Sequence, residues 1–222
     1  MAAFYHQYFY QPLLDVFHFI FTNLAFHDLG LAIVLLTIFI RIVLFPLFYR
    51  GIKDQILVKK IQPRIKEIQE KYKNDKTEQT KALMALYKDH KFNPFAGFFV
   101  LIVQLPILMA LFQIFSKGLD DGVVDNFLFL GLIDLRYPHL FLTLATAVLQ
   151  YFQMKALAVS HQKETSEPAD LTHSVGKTMV YVSPVITFMI LANLPAALAV
   201  YWAVSTIFSI GQQKLVKKRL MA

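Results

Sequence analysis

The stretch Leu29–Phe48 reads LGLAIVLLTIFIRIVLFPLF and is apolar almost throughout, with Arg41 inside it. As a helix rising 1.5 Å per residue, it is long enough to cross a hydrocarbon core of about 30 Å. A lone cation in such a span costs about 2.5–3.5 kcal/mol on insertion scales and roughly 10–17 kcal/mol in simulations of an isolated helix. A chain keeps such a residue where its side chain faces water, a partner or an internal cavity. No acidic residue lies within a helical turn of Arg41, and none lies in any other apolar stretch. Arg41 is therefore the first candidate for a functional residue.

The rest of the chain has the same character. Of its 222 residues 56% are hydrophobic and 17% charged, with a mean hydropathy of +0.49. A soluble domain would carry about 25% charged residues. The composition indicates an all-α integral membrane protein, since the alternating pattern of an outer-membrane barrel is absent. With no cysteine, disulfides, thiol catalysis, cysteine-ligated metals and a lipoprotein anchor are not expected. The first 25 residues hold no Lys or Arg, so the basic region of a cleavable signal is not expected.

Five spans are expected, at 29–49, 94–116, 136–157, 177–192 and 195–213. Residues 1–28 precede them, and their aromatic-rich part, 4–26, reads as an interfacial amphipathic helix. The segment 50–93 is too polar to span. Its stripes Ile61, Ile65, Ile68, Tyr72 and Leu83, Leu86, Tyr87, His90 predict a helical hairpin broken at Lys73-Asn74-Asp75, with Thr77 as the second N-cap. Loops are expected at 117–135 and 158–176, and a basic tail at 214–222. Asn193-Leu194-Pro195 leaves room only for a tight turn between the last two spans.

Charge sets the orientation. Arg50 to Lys91 carries 12 basic residues against 6 acidic ones. Lys155, Lys163, Lys177, Lys214, Lys217, Lys218 and Arg219 fall on the same side, whereas the opposite side has only Lys117 and Arg136. The N-terminus is expected outside and the C-terminus in the cytoplasm. The net charge of +7 thus belongs to membrane topology, and DNA is not an expected partner.

Polar residues recur on single helical faces. Thr37 and Arg41 are i,i+4 on the first span; Thr143, Thr146, Gln150 and Gln153 share a face of the third; Trp202, Ser205, Ser209 and Gln212 share a face of the fifth. Lipid rejects glutamine, so these faces should converge with Arg41 on a water-accessible cavity. The bland alternatives are hydroxyls bonded to their own i−4 carbonyls and an Arg41 that snorkels to the interface. Pro46, Pro106 and Pro184 read as tolerated kinks. No zinc-protease, nucleophile-elbow or phosphate-loop signature is present, and His139 lacks metal partners at useful spacing. Enzymatic activity, a metal and a cofactor are not expected.

Asn93-Pro94-Phe95-Ala96-Gly97, Gln104-Leu105-Pro106-Ile107 and Ala110-Leu111-Phe112 resemble the second core span of the YidC/Oxa/Alb membrane protein insertases. Leu194-Pro195-Ala196-Ala197-Leu198, Tyr201-Trp202 and Ile210-Gly211-Gln212-Gln213 resemble the last. Thr37 and Arg41 with Pro46 match the first, and Met84 with Leu86-Tyr87-Lys88 the end of the cytoplasmic hairpin. The resemblance covers about residues 5–219. Two departures are Ala196-Ala197 after Pro195, where the family has x-Gly, and Ser205-Thr206, where it has Ser-Asn. The large extracytoplasmic domain of Gram-negative members has no counterpart here, so the likeness is to a minimal bacterial core.

The resemblance implies five spans around a hydrophilic groove that opens to the cytoplasm and to lipid and is closed outside. It implies a bacterial inner-membrane protein that passes hydrophobic segments of nascent membrane proteins into the bilayer, alone or with the Sec translocon. Arg41 would sit in the groove, while Thr37 and Trp202 would touch the substrate's hydrophobic segment; from their own polarity and placement Gln104, Thr146, Gln150, Gln153, Ser205 and Ser209 are expected to line it as well. Lys214, Lys217, Lys218 and Arg219 would meet ribosomal RNA or anionic lipid. A monomer is expected. The competing classes are a small transporter or channel, which usually carries repeat symmetry, and a lipid scramblase with a similar groove.

Overall fold

The computed structural model describes residues 2–90, 96–117, 124–158 and 171–221. Asn93-Pro94-Phe95, Asp120, Asp121 and the polar segment Thr165-Ser166-Glu167-Pro168, most of the expected 158–176 loop, lie outside them. The chain divides into two units: Met1–Leu44 with Gln104–Gly211, and Phe45–Val103 with Gln212–Ala222.

The first unit begins with α1 (Ala2–Tyr5), a π-helical turn (His6–Tyr10) and α2 (Gln11–Asn23). Helix α2 buries Phe17, Ile20 and Phe21, spaced i, i+3, i+4, against α3 (Leu29–Val43). Phe26 and His27, in the turn between them, hold φ of 51° and 59°. Left-handed backbone at non-glycine residues costs on the order of 1–3 kcal/mol each. Asp28 then caps α3, its Oδ1 accepting from Leu31 N at 2.8 Å.

Helix α3 stops at Val43, so the expected continuous span 29–49 is two helices. Leu44 leaves helical geometry, with φ −87° and ψ 5°, and α4 (Phe45–Lys71) starts anew. Pro46 accounts for the break: it lacks an N–H, and its ring would meet the carbonyl of Ile42. Among the described residues no single helix is long and apolar enough to cross a membrane. The bent pair Leu29–Val43 and Phe45–Asp54 qualifies jointly by length and composition.

The second unit contains α4 and α5 (Lys76–Asp89), which pack together as a hairpin. Ile61 and Leu86, from the two expected stripes, are buried. Gln79 Nε2 donates to Gln69 O at 2.9 Å across the arms. The second N-cap is Asp75 rather than Thr77. Its Oδ1 accepts from Thr77 N and Glu78 N, both at 3.0 Å, because the break ends two residues earlier than expected.

The chain returns to the first unit in α6 (Ala96–Lys117). A two-stranded antiparallel hairpin follows, β1 (Leu128–Phe129) and β2 (Ile133–Asp134), in register Leu128↔Asp134 and Phe129↔Ile133. It lies within the segment 117–135, where only a loop is expected. Its turn needs positive φ at Leu130 (52°) and Gly131 (69°). Phe129 packs so closely on α3 that a Cβ on Gly30 would stand 2.1 Å from its ring.

Helices α7 (Leu140–Ala158) and α8 (Leu171–Leu191) pack along one another. The turn at Asn193-Leu194-Pro195 leads into α9 (Ala196–Met221), which runs beyond the expected end at 213 and takes in the basic tail. The hairpin's exit caps α9: Ala196 N donates to Tyr137 O at 3.1 Å and Ala197 N to Leu135 O at 3.2 Å.

Candidate functional site

Thr37 and Arg41 lie one turn apart on the buried face of α3. Thr37 is 1% exposed and its Oγ1 donates to Ile33 O at 2.6 Å. Arg41 is 8% exposed. A guanidinium is poorly stabilised by apolar walls, so what it faces matters. Tyr201, on α9, lies within electrostatic reach of it. Gln104 Nε2 of α6 donates to the Tyr201 hydroxyl. Ser205, one turn along α9, is buried beside that hydroxyl, and its Oγ makes no hydrogen bond of good geometry. Two helices, α6 and α9, thus bring an amide, a phenol and a hydroxyl to the surroundings of Arg41 on α3.

A second polar cluster joins α7, α8 and α9. Thr146 Oγ1 donates to its own i−4 carbonyl, Leu142 O, at 2.7 Å and lies 3.2 Å from Ala199 O. One turn further, Gln150 Nε2 donates to Ser183 Oγ at 3.2 Å, while Gln150 Oε1 accepts from Trp202 Nε1 and Thr206 Oγ1, both at 3.4 Å. The pairings 146 with 199 and 150 with 202 make α7 and α9 parallel. At their N-terminal ends a threonine hydroxyl reaches a backbone carbonyl. One turn on, it takes a glutamine and an indole to bridge the helices.

The other expected site residues divide. Ser209 is buried and its Oγ donates to Ser205 O at 2.8 Å. Gln153 and Trp202 are half-buried. Thr143 is fully buried with its Oγ1 unbonded. Gln212, in the second unit, is buried with neither amide atom bonded. Lys214, Lys217, Lys218 and Arg219 are exposed on the last turns of α9. Thr37, Thr146 and Ser209 therefore make the back-bonds of the bland alternative and also face inward. Three participants lie outside the expected set: Tyr201, Ser183 and Thr206. Tyr201 stands i−4 and i−8 from Ser205 and Ser209, and Thr206 stands i+4 from Trp202, so helical spacing alone pointed to both. No such signal marked Ser183.

The opposite faces are apolar and uncovered. Leu105, Met109 and Phe112 of α6, Leu144, Val148 and Phe152 of α7, and Tyr181, Val185 and Met189 of α8 are all exposed, at helical spacing. Polar clusters sit among the buried apolar side chains, while large apolar ones also cover the outer faces of these helices, which the surface of a soluble bundle does not show. Among the described residues no group of three or more His, Asp or Glu is placed to hold a metal.

The family described as 60Kd inner membrane protein matches residues 20–222. A membrane protein insertase YidC of Geotalea daltonii is 31% identical over 212 residues, which are 96% of this chain and 38% of that protein. One of Syntrophus aciditrophicus is 32% identical over 209 residues, 94% of this chain and 36% of its own length. One of Fusobacterium nucleatum is 33% identical over 192 residues, 86% of this chain and 87% of its own length. The chain thus spans little more than a third of the first two relatives and most of the third.

Proposed function

Because the chain belongs to the YidC/Oxa/Alb family of inner membrane proteins, we propose that it is a membrane protein insertase. The observation that carries this reading is that the first unit buries polar clusters and shows apolar outer faces. The surroundings of Arg41, the Gln150 cluster and Ser209 are buried, while α6, α7 and α8 turn large apolar residues outward. Such a body is stable with lipid against its outer face, and a lipid solvent gives its buried polar groups a use.

In this reading the five spans of the sequence are α3 with the start of α4, then α6, α7, α8 and α9, with the N-terminus outside and the C-terminus in the cytoplasm. The α4–α5 hairpin and the basic end of α9 face the cytoplasm. Residues 4–26 lie along the outer interface. The longer side chains that bridge α7 and α9 at Gln150 than at Thr146 support a groove that is narrow at their N-terminal ends and wider towards the cytoplasm. Arg41, Thr37, Gln104, Thr146, Gln150, Gln153, Trp202, Ser205 and Ser209 line it, and Tyr201 belongs with them.

The substrates are nascent membrane proteins with a short, polar outer tail. In hydrocarbon each unsatisfied polar group of that tail costs several kcal/mol. Beside Arg41 an acidic tail exchanges water for a guanidinium, a phenol and amides, which offsets part of its desolvation. The contact has to be weak, because a tight carboxylate–guanidinium pair would trap the tail. The apolar segment then leaves past α3 and α9 into lipid, and its burial there drives the step without a nucleotide. Lys214, Lys217, Lys218 and Arg219 recruit ribosomal RNA or anionic head groups, and the Sec translocon is a further partner. The insertase names of the relatives favour this reading over a transporter, a channel or a scramblase.

The test is insertion of single-span reporters with acidic or neutral outer tails into proteoliposomes. The wild-type chain inserts both, and Arg41→Ala depresses the acidic-tail reporter more. Equal insertion by empty and protein-loaded vesicles would overturn the proposal.

A further inference from the structure

An exposed apolar rim stands at the N-terminal ends of α3 and α9. Asp28 brings its two parts together. Its Oδ1 caps α3, and its Oδ2 accepts from Leu130 N at 2.6 Å, which holds the hairpin tip beside the α2–α3 turn. At the hairpin's other end, the Leu135 and Tyr137 carbonyls accept from the first N–H groups of α9. The hairpin therefore lies as a strap across both helix ends, with its tip at their edge. On that edge Phe26 is 86% exposed, Leu130 65% and Leu132 84%. Phe26 and Leu130 present these side chains from left-handed backbone, at φ 51° and 52°. Aliphatic and aromatic residues seldom adopt that conformation, and water offers no return for showing them.

The chain itself indicates what covers the rim. Beyond β2 it runs through exposed Tyr137 into Leu140 and Phe141, both exposed, where the outward apolar face of α7 begins. The rim continues the surface assigned above to lipid. Arg136 lies at the junction, its guanidinium 4.8 Å from the Phe127 ring and 5.5 Å from the Tyr137 ring, and its charge meets Asp134 at 2.6 Å. Aromatic rings with a cation at their polar end are what a membrane–water boundary favours. A second copy of the chain fits poorly, because three side chains fall far short of the roughly 800 Å² per partner of a stable interface.

We propose that Phe26 and the hairpin tip Leu130-Gly131-Leu132 insert into the interfacial layer of the bilayer and anchor the strap that caps α3 and α9. The inference rests on the first unit being embedded in lipid.

The chain has no cysteine, so single labels are unambiguous. The full chain carrying an environment-sensitive NBD label on Phe26→Cys, Leu130→Cys or Leu132→Cys is reconstituted in phosphatidylcholine/phosphatidylglycerol vesicles. Val148→Cys reports on the outer face of α7, and Thr77→Cys serves as the aqueous reference. The rim labels should emit to the blue of Thr77→Cys and resist iodide. Doxyl groups near the lipid head should quench them more than doxyl groups deep in the chain. Rim labels that behave like Thr77→Cys while Val148→Cys stays in lipid overturn the anchor and leave the embedding intact. An aqueous Val148→Cys removes the embedding and the anchor together. Rim labels shielded from both quenchers, with energy transfer between copies, would mean that a second chain covers the rim, which also overturns the proposal.

Discussion

Trp202 Nε1 donates to Gln150 Oε1 at 3.4 Å, so the indole that the family resemblance assigns to substrate is also tied to the middle of α7. Thr206 reaches the same oxygen and Ser183 takes the amide's other end. One glutamine, 8% exposed, joins three helices.

Gln150→Leu should therefore loosen this end of the bundle without emptying it. Interhelical hydrogen bonds in membrane proteins contribute about 0.6 kcal/mol each on average. Three lost together imply a fall of about 2 kcal/mol, read as a lower unfolding midpoint in detergent. Trp202→Phe should cost less, and the two changes should be less than additive, because they share a bond. Full additivity would mean that the 3.4 Å contact contributes nothing.

Gly30 is a tight point between α3 and the hairpin. Gly30→Ala places a methyl where the Phe129 ring stands. Overpacking of this kind costs about 1–3 kcal/mol. Phe129→Ala in the same chain should recover much of that loss. If Gly30→Ala alone leaves the midpoint unchanged, Phe129 does not lie on α3 as described.

Asp28 makes two bonds with its two oxygens. Asp28→Ala should cost about 1 kcal/mol for the lost helix cap. Release of Leu130 N should add to this. Amide hydrogen exchange separates the effects, since protection should fall at Leu31 and Leu130 together. Faster exchange at Leu31 alone would show that the hairpin is held by something else.

The Asp134–Arg136 pair gives a pH dependence. The hydrogen bonds from the Arg136 side chain, foremost, hold the Asp134 carboxyl below the usual carboxylate range. A depressed folded-state value stabilises the fold above the unfolded carboxylate's pKa, and the contribution is lost as pH falls through the depressed value. Both groups are partly open to solvent, so the effect should be small and weaken with salt. Asp134→Asn should flatten the acid limb of the stability profile slightly. An unaltered profile would show that the pair carries no linkage.

The sequence made the helices and their inward faces legible, and it left their ends and joints unread. Thr37, Arg41, Thr146 and Gln150 stood out because polar residues at helical spacing in an apolar run have few places to point. The break at Leu44 was hidden because periodicity continues across it, and only Pro46 marked it. The hairpin was hidden because its strands are two residues long and its turn uses Leu130 at positive φ, a position sequence rules reserve for glycine or asparagine. Asp75 displaced Thr77 as a cap because both are good acceptors and only the position of the break decides between them. Tyr201 was set beside Trp202 in one motif, yet the two point to different partners, Tyr201 to Gln104 and Trp202 to Gln150. Adjacent helical residues diverge by a quarter turn or more, so a motif read as a string merges two sites.

Arg41→Lys distinguishes charge from shape. If the site needs a cation, Lys should keep most of the insertion of acidic-tail reporters. If it needs a planar fork, Lys should behave like Ala. Either outcome with Arg41→Ala impaired is consistent with the groove. Normal insertion by Arg41→Ala at equal protein level contradicts a role for the guanidinium.

In the proposed function a nascent hydrophobic segment passes the buried polar face of α3 and α9. Thr37 is 1% exposed in this structure, so a substrate reaches it only if these helices part. A photocrosslinker placed at Thr37 and at Trp202, with a ribosome-stalled single-span membrane protein, tests this directly. Adducts are expected from both positions to the apolar segment and none from Val148 on the outer face of α7. Adducts from Val148 alone, or from neither α3 nor α9, would contradict it.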